Sequence, residues 1–364
     1  MYIMKEIKSI IAAYHQLDVT QTKAALATVV RVEGSSYRRT GARMLVLENG
    51  TYLGGISGGC LEGDALRRAQ KAIANEKPSI VTYDTTKDDD KQIGVGLGCN
   101  GIIDVLFTPL KKTQNAENQI DILEGIIETR VFRVLVTITK SNSFLGKTLL
   151  YENDAQFLTF FSEKKYQQDV LEEIKKTFKN EKSTVKNFDD FSVFIELISP
   201  TPHVVLYGGN YDIYPMSRVL RELGWNVTVV MNSAKADKSL LQMGAKILHH
   251  KGDFLPKIDT HTALVLMAHD YKTDFENFQK ALISNTLYIG LLGPKKRTQK
   301  MFDALIEAQT PVLEEDMKRV FSPAGLDIGA ATPEEIAISI AAEIKSVFAK
   351  RNGGFLKNRV GSIY

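Results

Sequence analysis

Two cysteines lie in glycine-rich segments of the first hundred residues. Cys60 lies in Ser57–Asp64 (SGGCLEGD), just before or at the start of a predicted helix, and Cys99 lies in Gly94–Gly101 (GVGLGCNG). Backbone N–H groups and the dipole at a helix start stabilise an anion, including a thiolate. A purely structural cysteine usually lies among large apolar residues, so the flanking glycines favour a reactive thiol. The candidate residues of the two segments are Cys60, Cys99, Ser57, Gly58, Gly59, Glu62 and Gly98.

The two thiols are poorly matched to zinc, because a structural zinc site needs four ligands, commonly Cys or His. No histidine lies between His15 and His203, which also disfavours a Cys–His or Ser–His dyad in this part of the chain. Soft thiolates are better suited to molybdenum–sulfur chemistry or to carrying sulfur. A thiol redox sensor stays open as an alternative, since Cys60 and Cys99 would form a reversible disulfide if their Cα atoms came within about 7 Å.

Three arginines lie close together in Glu33–Arg43 (EGSSYRRTGAR), beside several hydroxyl groups. The guanidinium fork is the usual side-chain partner of a phosphate. Arg38, Arg39 and Arg43 are therefore candidate phosphate contacts. A charged β-turn explains the same residues, and both interpretations stay open.

A glycine turn follows the predicted strand His203–Tyr207 in the second half of the chain. A dinucleotide fingerprint reads G-x-G-x-x-G and needs an acidic residue near the end of the second strand. Here Asn210 and Ile213 replace the second and third glycines, and the second strand ends in Met231-Asn232. The incomplete fingerprint counts against tight NAD(P) binding and leaves an NAD(P)-binding oxidoreductase as an alternative function. The candidate ligand residues of this turn are Gly208, Gly209, Asn210, Tyr211 and Asp212.

Two further loops follow predicted strands, where ligands usually bind in α/β sheets. His269 and Asp270 follow the strand Ala263–Met267, and Gly293 lies in the loop after Tyr288–Leu291. His269 is suited to acid–base chemistry or to holding a phosphate. A histidine packed at the end of a strand fits the sequence equally well.

The elements that must position these residues follow from hydrophobic periodicity and turn signals. The first half is predicted to begin with an amphipathic helix and to contain a hairpin around Asn49-Gly50 and a helix over about 61–74. The polar stretch Thr108–Asn118 is predicted to be a connection, and Asp169–Phe178 a surface helix. The predicted strands are Ala24–Val32, Arg43–Leu47, Thr51–Ile56, Ile102–Phe107, Val131–Thr139 and Phe191–Ile198.

The composition changes near Ser199-Pro200-Thr201-Pro202, and strand and helix patterns alternate beyond it. This alternation predicts βαβ units and a parallel sheet. Thr332, Pro333 and Glu335 mark the start of the last helix as cap, first position and capping box. The predicted fold is α/β: a glycine-rich α+β domain over 1–199, with a β-rich middle segment over about 119–199, then a Rossmann-like parallel-sheet domain over 200–350 and a tail over 351–364.

Composition excludes several function classes. The chain has 364 residues, 44% of them hydrophobic, and a net charge of +3 without a long basic tract, so nucleic acid is not an expected partner. Its apolar runs fall far short of the roughly 20 residues that span a bilayer, and its first ten residues do not resemble an export signal. Two cysteines cannot form a disulfide framework, which favours the reducing cytoplasm.

The segments described above together resemble the XdhC/CoxI family, the accessory factors of xanthine dehydrogenase and related molybdenum hydroxylases. The N-terminal match is GSSYRRTGARMLV, then SGGCLEGD, then GLGCNG. The C-terminal match is LYGGNYD, then LVLMAHDYKTD, then YIGLLGPKKR, then GLDIGAATPEEIAISIAAEI. The motifs occur in the family's order and cover most of the chain.

The resemblance implies a cytoplasmic chaperone that binds molybdenum cofactor (molybdopterin) and performs no turnover of its own. Such a protein presents the cofactor to a cysteine desulfurase for sulfuration, then inserts it into the apo-hydroxylase, and a homodimer would help to shield it. Cys60 and Cys99 become the candidate contacts of molybdenum or sulfur, and the three arginines the candidate contacts of the cofactor's phosphate. The family's usual Gly-Ala-Gly-His-Asp turn is not kept here, since Asn210 and Tyr211 replace its second glycine and its histidine.

Overall fold

The computed structural model describes residues 3–18, 21–86, 101–111, 118–249 and 258–360. The chain divides into two units, Met1–Pro200 and Thr201–Tyr364. Among the described residues, no helix is long and apolar enough to cross a bilayer.

The first unit begins with a helix and an antiparallel sheet. Its elements are α1 (Ile3–His15), β1 (Ala24–Gly34), β2 (Arg43–Leu47), β3 (Tyr52–Gly54), α2 (Glu62–Asn75), β4 (Ser79–Asp84) and β5 (Gly101–Leu110). Within the described residues the strand order is β3-β2-β1-β5-β4, with all neighbours antiparallel. Helix α2 packs its small residues Ala65, Ala69 and Ala72 against one face of this sheet, which brings the helix start close to the strands.

A second antiparallel sheet follows in the same unit. Its elements are α3 (Gln119–Glu124), β6 (Arg133–Lys140), β7 (Thr148–Tyr151), α4 (Asp154–Phe160), α5 (Gln167–Asn180), β8 (Thr184–Asn187) and β9 (Ser192–Ile198), with the strand order β7-β6-β9-β8. Leu135 on β6 and Ile198 on β9 share a buried cluster with Leu26 on β1 and Ile7 on α1. The two sheets of the first unit are therefore joined by a common hydrophobic core.

The second unit is a parallel sheet with helices between its strands. Its elements are β10 (His203–Tyr207), α6 (Ile213–Glu222), β11 (Asn226–Met231), α7 (Lys238–Gln242), β12 (Lys246–His249), β13 (Thr262–Leu266), α8 (Tyr271–Leu282), β14 (Tyr288–Leu291), α9 (Lys295–Glu307), α10 (Glu314–Met317), β15 (Val320–Phe321) and α11 (Pro333–Phe348). In the described residues the order is β12-β11-β10-β13-β14-β15, and every pair is parallel. This is the doubly wound order 3-2-1-4-5-6, in which the order of the strands reverses between β10 and β13.

The predicted α/β fold class is confirmed, including the parallel sheet of the second half. The predicted capping box is also present, since Thr332 Oγ1 accepts from Glu335 N at 3.3 Å and Glu335 accepts from Thr332 N at 2.9 Å. Several predicted element boundaries differ from those in the structure. Strand β5 continues to Leu110 instead of ending before Thr108, because it pairs with β1 along its whole length, and β3 is shorter than predicted. Helices α3, α4, α7, α8, α9 and α10 were not predicted individually.

Candidate functional site

The loop before α2 is organised by the hydroxyl of Ser57. This hydroxyl donates its proton to Glu62 Oε2 at 2.5 Å and accepts hydrogen bonds from Gly59 N at 3.2 Å and Leu61 N at 3.0 Å. Glu62 Oε1 in turn accepts from Ser57 N at 2.8 Å and from Ile56 N at 3.2 Å. These five hydrogen bonds together fix the backbone of the loop.

Cys60 lies half-buried in this loop, two residues before the first residue of α2. Its Sγ lies 3.4 Å from Ser57 Oγ. Because the hydroxyl proton is directed to Glu62, Ser57 can only accept from the thiol. The amides of Gly59 and Leu61 donate to Ser57 Oγ. Stabilisation of a Cys60 thiolate by backbone N–H groups and the dipole at the start of α2 stays a prediction.

Glu62 is buried, and its carboxylate is used entirely within the loop. Burial by itself would raise the pKa of Glu62, but the hydrogen bonds from Ser57 and Ile56 together outweigh burial and hold the pKa below its ordinary value. Glu62 is therefore an ionised anchor of the loop. Its predicted contact with a cofactor stays a prediction.

Tyr37 joins two motifs that are far apart in the sequence. Its ring lies against Gly58, whose missing Cβ would be 3.4 Å from Tyr37 Cγ, while 69% of the tyrosine remains exposed. Gly59 adopts φ +111°, and nothing lies within 4 Å of the position its Cβ would take. The loop around Cys60 is consequently open on this side and bordered by an exposed aromatic ring. Sequence reasoning missed Tyr37, although it stands inside the arginine-rich motif.

The arginines of that motif have carboxylate partners. Arg38 forms an ion pair with Glu6, and the buried Arg43 binds Glu196 with both terminal nitrogens, at 2.9 and 2.6 Å. Glu6 also accepts from Arg43 N at 2.8 Å, and burial raises its pKa despite these partners. Arg39 is half-buried. The phosphate contacts stay a prediction, and the guanidinium groups of Arg38 and Arg43 are already bound to carboxylates within the fold.

Cys99 and Gly98 lie outside the described residues. The predicted pairing of Cys60 with Cys99, either around one ligand or as a disulfide, therefore stays a prediction.

The ligand loops predicted in the second unit meet at the carboxyl end of its sheet. Asn210 Nδ2 donates to Ala268 O at 3.0 Å, which links the loop after β10 to the loop after β13. The same two loops approach at Gly208, which has φ +152° and whose Cβ would lie 2.5 Å from Met267 O. Only glycine fits this close approach. The predicted loop residues are thus brought together by the strand order.

Asp212 and His269 form a pair across this junction. Asp212 Oδ2 lies 2.6 Å from His269 Nε2, and His269 adopts a positive φ of 57°. Asp270 caps α8 by accepting from Thr273 N at 2.8 Å, so it serves the helix. Gly293 has φ +134° in the loop before α9.

Comparison with known proteins assigns the chain to a family. A family model described as "XdhC Rossmann domain" matches residues 204–344, and one described as "XdhC and CoxI family" matches residues 20–84. The chain is also 32% identical over 337 residues, 89% of its length, to a protein of Bacillus subtilis named as a probable xanthine dehydrogenase subunit, and covers 93% of that protein. The chain belongs to the XdhC and CoxI family. The resemblance noted in the sequence is thereby confirmed.

Two further relatives extend the similarity of this XdhC/CoxI-family chain. It is 22% identical to the "Molybdenum cofactor insertion chaperone PaoD" of Escherichia coli, with 89% of this chain and 83% of the relative covered. A crystal structure described as a xanthine dehydrogenase from Bacillus halodurans matches with a TM-score of 0.72 at 26% identity, covering 94% of this chain and 96% of that one. Both units of the chain therefore have counterparts in its relatives.

Proposed function

We propose that this chain is a maturation factor that binds molybdenum cofactor and delivers it to a xanthine dehydrogenase-type molybdenum hydroxylase. The observation that carries the proposal is the similarity, along 89% of the chain, to a relative named as a molybdenum cofactor insertion chaperone. A second relative, similar over the same share of the chain, is named as a xanthine dehydrogenase subunit. A role in delivering molybdenum cofactor would explain why one relative is named as an insertion chaperone and the other as a subunit of xanthine dehydrogenase.

The residues around Cys60 fit such a cofactor. Among the residues that the structure describes, no group of three or more His, Cys, Asp or Glu side chains could hold a bare metal ion. The loop offers one soft sulfur donor beside an open glycine surface. A single thiol suits a molybdenum atom that is already held by the organic part of its cofactor, because thiolates are soft ligands.

The roles of the residues follow from their positions. Cys60 would contact molybdenum or its sulfur ligand, and Gly58 and Gly59 would let the cofactor approach the backbone. Ser57 and Glu62 hold the loop that presents the thiol. The exposed face of Tyr37 is suited to packing against a flat conjugated ring. The bound cofactor supplies redox chemistry to the target enzyme, and this chain only holds and transfers it.

We extend the proposal to the sulfuration step. A cysteine desulfurase would deliver sulfur while the cofactor is held at Cys60, with Cys99 as a second sulfur contact. A homodimer would shield the cofactor, and the cytoplasm is the compartment in which such thiols stay reduced. Each of these statements is a separate proposal and can fail without the delivery role failing.

The test is binding of molybdenum cofactor by the purified whole chain under reducing conditions. Wild type, Cys60→Ala and Cys99→Ala are compared, with Ser143→Ala, at an exposed position of the first unit, as a control for a surface change. We expect wild type and Ser143→Ala to retain cofactor and a folded Cys60→Ala to lose it, read from bound molybdenum and from circular dichroism. Absence of binding in wild type with intact cofactor would refute the proposal. A disulfide between Cys60 and Cys99 under mild oxidant, without cofactor binding, would favour the redox sensor.

A further inference from the structure

The C-terminal tail, which follows the last residue of α11, is basic. Residues 349–364 contain no Asp or Glu, and their cationic side chains are those of Lys350, Arg351, Lys357 and Arg359. Arg351 and Lys357 are exposed. The tail therefore presents positive charge to solvent.

The tail also exposes large apolar side chains. Phe355 is 78% exposed, Leu356 59% and Val360 98%. The ammonium group of Lys357 lies 5.5 Å from the centroid of the Phe355 ring, so a cation accompanies the exposed aromatic face. Apolar and basic groups are thus combined on one short segment.

The tail curls around a cavity of about 600 Å³. Every described residue that lines this cavity lies between Lys350 and Arg359. The tail approaches another part of its own unit at Gly353, whose Cβ would lie 2.9 Å from Leu326 Cδ2. Beyond that approach it presents a concave surface that is both basic and apolar.

A surface of the opposite kind is assembled by Arg319 in the same unit. The guanidinium of Arg319 donates to three carbonyl oxygens of the loop between α8 and β14, at 2.5–3.0 Å, which are those of Leu282, Ser284 and Thr286. It also donates to Asp316 Oδ1 on α10, at 2.6 Å. Arg319 therefore holds this loop against α10, and the exposed side chains of the two segments form one face.

Large apolar side chains make up this face, which we call the α10 face. On the loop, Ile283 is 88% exposed and Leu287 43%. On α10, Leu313 is 64% exposed and Met317 44%, and Met317 N donates to Leu313 O at 3.0 Å, so the two side chains lie on one side of the turn. Exposed apolar patches of this kind mark interaction surfaces.

The charge on α10 is mainly negative. Glu314 and Glu315 are exposed between Leu313 and Met317, and Lys318 opposes one of these charges. Asp316 is paired with Arg319 and adds no net charge. The α10 face is therefore apolar and acidic, which is complementary to the apolar and basic tail.

We propose that the tail of one copy docks on the α10 face of a second copy of this chain. The apolar side chains of the tail pack on the apolar side chains of the face, and Arg351 and Lys357 lie against Glu314 and Glu315. Two-fold symmetry makes the exchange reciprocal, so that each contact is formed twice. The proposal rests on the homodimer proposed above and is independent of cofactor binding.

The first experiment measures dimerisation of the whole chain by analytical ultracentrifugation under reducing conditions. The tail variant carries Arg351→Glu with Lys357→Glu, and the face variant carries Glu314→Lys with Glu315→Lys. We expect wild type to form a dimer and each variant alone to dimerise at least about tenfold more weakly, because four exposed ion pairs become repulsive. An equimolar mixture of the two variants should recover the dimer, since each tail then meets a face of opposite charge.

The control variant carries Lys179→Glu with Lys182→Glu, an equal change of charge at exposed positions of the first unit, and it should dimerise like wild type. Retention of the dimer by both charge-reversed variants, or a mixture that stays monomeric, would overturn the tail contact and leave the homodimer standing. A monomeric wild type would overturn the homodimer as well. Molybdenum cofactor binding is measured separately, so neither result is confused with failure of the delivery role.

The second experiment tests the apolar part of the contact. Phe355→Ser should weaken the dimer at least about tenfold, because aromatic side chains contribute most where a contact is buried. Phe160→Ser is the matched control, since Phe160 is 63% exposed on α4 of the first unit, and it should leave the dimer unchanged. Circular dichroism confirms that both variants are folded. Equal dissociation constants for the two variants would overturn the proposal.

Discussion

Arg43 on strand β2 and Glu196 on strand β9 form a buried, bidentate ion pair. The guanidinium lies 2.9 and 2.6 Å from the two carboxylate oxygens, and the side chains are only 5% and 2% exposed. Arg43 also donates to Gly41 O at 2.7 Å, which fixes the turn before β2. The pair connects the two antiparallel sheets of the first unit and commits Arg43 to the fold.

We predict that breaking this pair destabilises the protein strongly. Arg43→Met leaves a buried carboxylate without its partner and should lower the free energy of unfolding by about 3–5 kcal/mol. The double variant Arg43→Met with Glu196→Leu removes both charges and should recover most of that loss. Urea unfolding of the three proteins measures the effect. A double variant no more stable than Arg43→Met would contradict this account.

Replacing Glu62 should destabilise the loop that presents Cys60. Glu62→Ala leaves the buried amides of Ile56 and Ser57 without an acceptor and should cost about 2–3 kcal/mol. Glu62→Gln keeps a carbonyl oxygen as acceptor and should cost about half as much. Urea unfolding gives the stabilities, and equal losses in the two variants would mean that the hydrogen bonds are not the cause.

The same carboxylate should contribute to the pH dependence of stability. Because the pKa of Glu62 is lowered in the folded chain, its stabilisation is present above the ordinary value of 4.5 and is lost as pH falls through the lower folded pKa. Glu6 and Asp274 have raised pKa values and act in the opposite direction, so wild type alone does not isolate the effect. We expect the stability difference between wild type and Glu62→Gln to shrink below pH 4.5. A constant difference between pH 3 and pH 7 would argue against this.

Tyr37 should contribute to cofactor binding without supporting the fold. Tyr37→Ala is expected to weaken the binding of molybdenum cofactor by about tenfold, because the loss of one aromatic contact costs about 1.5 kcal/mol. Tyr37→Phe keeps the ring and should bind normally. Tyr52→Ala is the control, because Tyr52 is 48% exposed on β3. Equal losses of cofactor binding in Tyr37→Ala and Tyr52→Ala would contradict the assignment of Tyr37 to the cofactor site.

Gly208 should tolerate no side chain. A Cβ at this position would lie 2.5 Å from Met267 O at a φ of +152°, so Gly208→Ala must force the loops after β10 and β13 apart. We expect a loss of about 2–3 kcal/mol in the second unit, in the range of strained backbone positions. Gly63→Ala is the control, because nothing lies within 4 Å of its Cβ position, and it should be neutral or slightly stabilising. Thermal unfolding followed by circular dichroism compares the two.

The fold class and the positions of the loops predicted to bind a ligand can be read from the amino-acid sequence. Strand and helix patterns alternate after Pro200. This alternation specifies a parallel sheet, because a helix that connects two neighbouring strands lets both strands run in the same direction. The capping box of Thr332 and Glu335 can also be recognised in the sequence, because its two residues lie only three positions apart. The motif order was sufficient to recognise the XdhC/CoxI family.

The contacts of individual side chains, in contrast, depend on how distant parts of the chain fold together. Arg43 looked like a phosphate ligand, and its partner Glu196 lies 153 residues away, so no local pattern could reveal it. The contact between Tyr37 and Gly58 and the pairing of Asp212 with His269 arise in the same way. Sequence periodicity reports which face of an element is buried, whereas partner choice depends on packing between distant elements.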